Sequence, residues 1–189
     1  MPFSEIGPTA PYDPRSVCNR ILNEAEKIGR PVTNLALQKL LYFAHGLFLI
    51  ETKKPLVSGF FEAWTYGPVH PTAYHAFKMA GGNPISFRAS ISDPFTNKTL
   101  LLPECADAGA VARIRRIVNT YGPLTPGRLV EVSHAKNAPW AYVVDKSKTK
   151  TVLGMRISDN IITERFRFHK VSVGGTPRYG EPREDAPLV

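Results

Sequence analysis

The sequence predicts a single α+β domain, predominantly helical, with a small β-hairpin. Three observations carry this reading. The chain has 189 residues, 43% hydrophobic and 21% charged, the balance of an ordinary soluble domain that buries about two-thirds of its unfolded surface. Helix starts recur along it, most of them an Asp, Thr or Ser placed just before a Pro or an apolar run at helical spacing. Stretches of β character are few and short. The same composition excludes a wholly disordered chain, a collagen and a bare coiled coil. No apolar run approaches the roughly 18 residues of a transmembrane helix, so no membrane role is expected.

Residues 1–12 are Pro-rich, with neither a basic start nor an apolar centre. They read as a flexible N-terminal arm, not a secretory signal. Asp13 caps and Pro14 opens the first helix, with Val17, Ile21, Leu22, Ala25 and Ile28 at helical spacing; Gly29 and Pro31 end it. Thr33 or Asn34 caps a second helix running to about Thr52. Its stripe of Leu37, Leu40, Leu41, Ala44, Leu47 and Phe48 is so wide that it reads as the central helix of the core. Gln38, Lys39 and Tyr42 interrupt that surface and are expected at its rim or lining a cleft.

After a turn at Lys53, Lys54 and Pro55, residues 60–64 read as a short strand. The segment Tyr66-Gly67-Pro68-Val69 turns sharply, and Pro71 opens a helix carrying Ala73, Tyr74, Phe77 and Lys78, ended by Gly81 and Gly82. Residues 85–91 alternate loosely and pair with 99–102 across 93–98 as the β-hairpin. Asp107 caps a helix to Tyr121, with Val111, Ile114, Ile117 and Val118 inward and Arg113, Arg115 and Arg116 toward solvent. Thr125 and Pro126 open the next, which ends near His134. Pro139 starts a short helical turn around Trp140 and Tyr142, and residues 145–150 form a charged loop. Ser158 caps a last helix with Ile161, Ile162, Phe166 and Phe168. Residues 174–189 hold three Gly and three Pro among polar groups and read as a disordered C-terminal tail. The folded domain then spans 13–173.

Net charge is +8, and the excess lies in residues 107–170, with 12 basic against 5 acidic side chains. Such a surface attracts nucleic acid or an acidic protein partner, or serves as a solvated basic face. Cys18 and Cys105 stand outside any CxxC pair and read as buried reduced thiols. A cytoplasmic location is expected.

Catalytic signatures are sparse. The five histidines are His45, His70, His75, His134 and His169; none makes the HExxH spacing of a zinc helix, and His45 reads as a hydrogen-bonded core histidine. Ser133 and His134 are adjacent and do not face each other on a helix. No GxSxG elbow or phosphate-cradling glycine loop is present. The acidic pairs Glu24/Glu26 and Glu184/Asp185 read as solvated surface. No catalytic residue, metal or cofactor is therefore assigned. What remains is a dense aromatic group: Trp64, Tyr66, Gly67, Pro68 and His70, then Tyr74 and Phe77. It is either a packed turn fixing a helix against a strand or a rigid platform for a protein partner.

Leu37-Gln38-Lys39-Leu40-Leu41-Tyr42-Phe43-Ala44, then Lys54-Pro55-Leu56, then Phe61-Glu62-Ala63-Trp64-Thr65-Tyr66-Gly67-Pro68-Val69 with Pro71, Tyr74 and Phe77-Lys78, resemble the Panacea domain. Ser133-His134 and Pro139-Trp140 fit the same pattern, and the resemblance covers roughly residues 15–168. This is the domain of the phage-associated GepA-like proteins and the SocA-like antitoxins. The resemblance implies a small, mostly helical antitoxin of a two-gene system that neutralises its cognate toxin by direct contact. In the SocA-like branch it implies an adaptor presenting the toxin to ClpX of the ClpXP protease. It carries no catalytic residues. The candidate partner-binding residues are Gln38, Lys39, Tyr42, Trp64, Tyr66, Pro68, His70, Tyr74, His134 and Trp140. Two further readings stand beside it: a winged-helix-like nucleic-acid-binding regulator using the basic 107–170 half, and a hydrolase or nuclease resting on Ser133, His134 and His70.

Overall fold

The computed structural model describes residues 9–148 and 155–169, apart from 94 and 97. The tail at 174–189 and the first eight residues of the arm lie outside the described residues. The α-helices are α1 (Pro14–Lys27), α2 (Asn34–Thr52), α3 (Pro71–Phe77), α4 (Ala108–Tyr121), α5 (Pro126–Ser133), α6 (Pro139–Ser147) and α7 (Asp159–Arg165). The strands are β1 (Phe61–Trp64), β2 (Gly67–Val69), β3 (Ser90–Ser92), β4 (Thr99–Leu101) and β5 (Arg156–Ile157). The fold is a predominantly helical α+β domain, as the sequence predicts.

Five helix starts close as their residues dictate. The side chains of Asp13, Thr33, Asp107, Thr125 and Ser158 accept from the backbone N–H of Arg15, Ala36, Ala110, Arg128 and Ile161, each satisfying a donor the helix cannot pair internally. Helix α2 is buried from Asn34 to Leu49. A helix apolar around its whole circumference reaches low free energy only when covered on all sides, and α1, α3, α4, α5 and α7 all pack on it. Gly46 permits a close approach by the residue that follows α7. A Cβ there would stand 2.0 Å from the Phe166 ring, so the ring rests directly on the α2 backbone.

Polar ties register the helices. Glu24, 4% exposed, accepts from Arg20 at 2.9 Å, Lys27 at 2.8 Å and Arg115 at 2.9 Å, which joins α1 to α4. This corrects the reading of Glu24 as solvated surface: three cations compensate its burial. Arg113 and Arg116 reach Glu51 at the end of α2. His45 Nδ1 accepts from Val57 N–H at 3.4 Å, so Nε2 carries the proton that faces Asp159 at 3.0 Å. That contact ties α2 to α7. Cys18 and Cys105 are buried free thiols.

The main sheet has the order β2-β1-β5, antiparallel throughout, with Trp64 opposite Gly67 and Phe61 opposite Ile157. Strands β2 and β5 were not predicted; three and two residues are too short to show a period. Pro68 is tolerated because β2 is an edge strand, where a missing donor breaks no ladder. The expected β-hairpin is present as β3 and β4, with Ile91 opposite Leu100. It starts at Ser90, since the Ile85 N–H is bound to the Val32 carbonyl at 2.8 Å. Helix α6 continues through Ser147, into the stretch expected to be a charged loop. Tyr12, expected in the arm, is buried: its N–H donates to Leu56 at 2.8 Å and its carbonyl accepts from Ser58 at 2.9 Å.

Candidate functional site: a polar seam around the β1–β2 turn

Nine of the ten candidate residues converge on the two-residue turn, Thr65 and Tyr66, that joins β1 to β2. The turn needs glycine at 67, where φ is +105°. Space imposes the same choice. A Cβ at Gly67 would lie 2.4 Å from Ser133 Oγ and 3.0 Å from Lys39 Cε. The backbone of β2 is thereby pressed against α2 and the end of α5.

Two residues of α2 hold that backbone from below. Lys39 Nζ donates to the Pro68 carbonyl at 3.1 Å. Gln38 Oε1 accepts from His70 N–H at 3.1 Å while its Nε2 donates to Asn34 Oδ1 at 3.0 Å, so its amide orientation is set at both ends. The His70 ring donates from Nε2 to the Ser58 carbonyl at 2.8 Å and stands edge-on to Phe61 at 5.3 Å. Burial pushes its pKa down, keeping the ring neutral.

From above, the Trp140 indole donates to the Trp64 carbonyl at 2.8 Å, and the Trp64 indole donates to Glu62 at 2.8 Å. Tyr74 meets Trp64 edge-on at 4.8 Å. His134 lies flat on Trp140, with ring centroids 3.6 Å apart and planes 10° apart. Burial, and then the positive charge of Lys39, lowers the His134 pKa to about 4. The Ser133 hydroxyl donates to the Val130 carbonyl at 2.8 Å. Ser133 and His134 thus face separate partners and form no nucleophile–base couple in this geometry.

The tenth residue, Tyr42, sits on another face of α2. Its hydroxyl meets His169 Nε2 at 3.0 Å. His169 Nδ1 faces the Val132 carbonyl at 2.9 Å and so must carry the proton, leaving Nε2 as acceptor for the phenol. Burial lowers the His169 pKa to about 4.

The sequence placed Gln38, Lys39 and Tyr42 at a rim or cleft; all three have 0% exposure and bond to the fold's own backbone and side chains. Trp64, Pro68 and His70 are buried too. Of the ten, only Tyr66, Tyr74, His134 and Trp140 keep part of their surface open. The aromatic group is therefore a packed turn with a half-exposed margin. Sequence reasoning missed two surface features. One is the apolar surface of the β3–β4 hairpin, where Phe95 and Leu101 are 95% and 90% exposed; the run Leu100-Leu101-Leu102 was its signal. The other is a set of cations held over aromatic rings on α6, β5 and α7, which contact geometry alone shows. Among the described residues no three His, Cys, Asp or Glu side chains gather into a metal-holding set, and no helix is long and apolar enough to cross a membrane.

A helical domain wrapped around one buried helix, its polar seam clamping a tight β-turn, is the class of molecule in hand. The chain belongs to the family described as antitoxin SocA-like, Panacea domain, whose model matches residues 37–141, from α2 to the start of α6. Antitoxin SocA of Caulobacter vibrioides (strain NA1000 / CB15N) is 43% identical over 175 residues, covering 93% of each chain. No solved structure matches.

Proposed function

We propose that this protein is the antitoxin of a two-gene toxin–antitoxin system, acting in the cytoplasm and neutralising its cognate toxin by direct protein contact. One observation carries the reading: the 43% identity to a protein named Antitoxin SocA extends over 93% of both chains, so the similarity reaches beyond the matched domain to nearly the whole molecule. The seam supports it chemically. Its polar groups serve to hold backbone in place, which suits a rigid body that presents surface. The finer reading is that bound toxin is handed to the ClpXP protease, with this protein as adaptor.

The test is co-expression with the adjacent open reading frame. Growth should be rescued and the two products should co-elute as a stable complex; a neighbour product that is toxic yet never co-elutes would sink the proposal. For the adaptor step, the half-life of the toxin is followed with purified ClpXP in the presence and absence of this protein. Unchanged degradation removes that step and leaves direct neutralisation standing.

A further inference from the structure

The basic excess of residues 107–170 is arranged in two ways. On α4, Arg113 and Arg116 are held by Glu51, and Arg115 by Glu24. On the face formed by α6, β5 and α7, cations sit on aromatic rings. The Arg165 guanidinium lies 3.5 Å from the centre of the Tyr142 ring, and Lys146 Nζ lies 4.3 Å from the same ring. The Arg156 guanidinium lies 3.8 Å over Phe60. Among the described residues, neither Arg156 nor Arg165 has a carboxylate at ion-pair distance. Arg165 makes a long bond, 3.4 Å, to the Asn137 carbonyl and a hydrogen bond with the Tyr142 phenol, and its buried Nε has no acceptor. An aromatic ring orders a cation through its quadrupole but leaves its net charge intact. Arg156 and Arg165 are thus held in place on rings, with no carboxylate among the described residues to cancel their charge.

We infer that the α6–β5–α7 face docks an acidic segment of a protein partner, with carboxylates received by Arg165 and Lys146 around Tyr142 and by Arg156 beside Phe60. A guanidinium fixed on a ring matches a carboxylate with two parallel N–H donors and loses little freedom on binding. The Tyr142 phenol reports the same field: hydrogen bonding with Lys146, and the nearby charges of Lys146 and Arg165, pull its pKa below the ordinary value. Nucleic acid fits less well. A phosphate backbone calls for a continuous row of cations. Here Asp145, Asp159 and Glu164 interrupt the row, and the arginines of α4 are already paired. A few fixed cations suit a short carboxylate cluster. The inference rests on the toxin-binding reading for the identity of the partner; the surface itself is testable without it.

The probe is a fluorescein-labelled ten-residue polyglutamate peptide, titrated with the full chain at low salt and followed by anisotropy. Binding should weaken with added salt and fall about tenfold in K146E/R165E, while R113Q/R116Q stays within about twofold of the wild type. R165K keeps the charge but loses the paired donors and the ring stacking, so it should weaken binding by less than K146E/R165E and by more than R113Q/R116Q. K146Q/R156Q, at two exposed positions, repeats the test should the charge reversal unfold the chain. Peptide affinity equal in wild type and both variants, or tighter binding of a ten-residue oligothymidine, overturns the inference. So does a deletion of residues 170–189 that raises peptide affinity about tenfold, because the chain's own Glu181, Glu184 and Asp185 would then be the occupant. With the adjacent gene's product, loss of co-elution in K146E/R165E supports the surface and equal co-elution refutes it. Failure of the wild type to co-elute sinks the toxin reading, and the peptide titration still decides the face.

Discussion

Replacing Gly67 by Ala tests the seam directly. The backbone there has φ of +105°, which an L side chain adopts at a cost of about 1–3 kcal/mol. The new methyl would also sit 2.4 Å from Ser133 Oγ and 3.0 Å from Lys39 Cε. Both neighbours are buried, and overpacking of this kind costs about 1–3 kcal/mol. The sum is roughly 2–6 kcal/mol, a large share of the total stability of a domain. In a chain of this size each kcal/mol shifts the melting temperature by about 2–4 °C, so Gly67→Ala should melt at least about 4 °C lower. The assay is urea denaturation with the slope held in common. The two causes separate in a double-mutant cycle with Ser133→Ala. Removing the hydroxyl relieves the shorter contact, so Gly67→Ala should cost about 1 kcal/mol less in that background, leaving the dihedral strain. A loss under about 1 kcal/mol in the single variant, or an identical loss with and without Ser133, refutes the packing argument.

Other consequences follow from the same geometry. Lys39→Met removes the donor to Pro68 and should cost about 1–3 kcal/mol by leaving a buried carbonyl unmatched. In that variant the His134 pKa, read by imidazole NMR, should rise from about 4 yet stay below its ordinary value, because burial is the larger cause; an unchanged pKa would show that Lys39's charge does not reach the ring. Stability should fall with pH in two windows. His134 and His169 have folded pKa values of about 4, below that of the unfolded chain, so the unfolded state takes up protons first and stability is lost as pH drops from about 6.5 toward 4. The pKa of Glu24, lowered to about 2 chiefly by its bond from Arg115, contributes stability above about 4.5 that is lost as pH falls toward 2. Denaturation at stepped pH should show both slopes, and His134→Gln should flatten only the upper one. Glu24→Ala removes the acceptor shared by Arg20, Lys27 and Arg115 and should destabilise the chain measurably, but by less than the loss of a fully buried ion pair, because Lys27 and Arg115 are more than half exposed and regain water; a loss near zero would mean these contacts are replaced by water without penalty.

Much of this fold was legible from local chemistry. Asp13, Thr33, Asp107, Thr125 and Ser158 announce their helices because a cap needs only one side chain and the donors two or three residues on. The centrality of α2 follows from its apolar circumference. The short strands β2 and β5 were invisible, because each exists only by pairing with β1 and carries no pattern of its own. For the candidate site, the sequence located the right segments and misjudged their direction. Gln38, Lys39 and His70 are polar, and polarity alone suggests a surface. Gln38 and Lys39 instead meet backbone groups just after the β1–β2 turn, and the His70 ring meets the Ser58 carbonyl; a buried polar group so matched is no longer costly.

The sequence by itself determined the order of the helices among the described residues, the presence of a hairpin between 85 and 102, the core helix and the position of the basic excess, because each depends on neighbours within a few residues along the chain. Tertiary structure alone decided that the aromatic turn packs inward, that the arginines of α4 are neutralised by Glu24 and Glu51, and that Arg165 and Lys146 share one ring. Those outcomes depend on distances between residues far apart in the chain, and a carboxylate or an aromatic face acts on a charge only within a few ångströms.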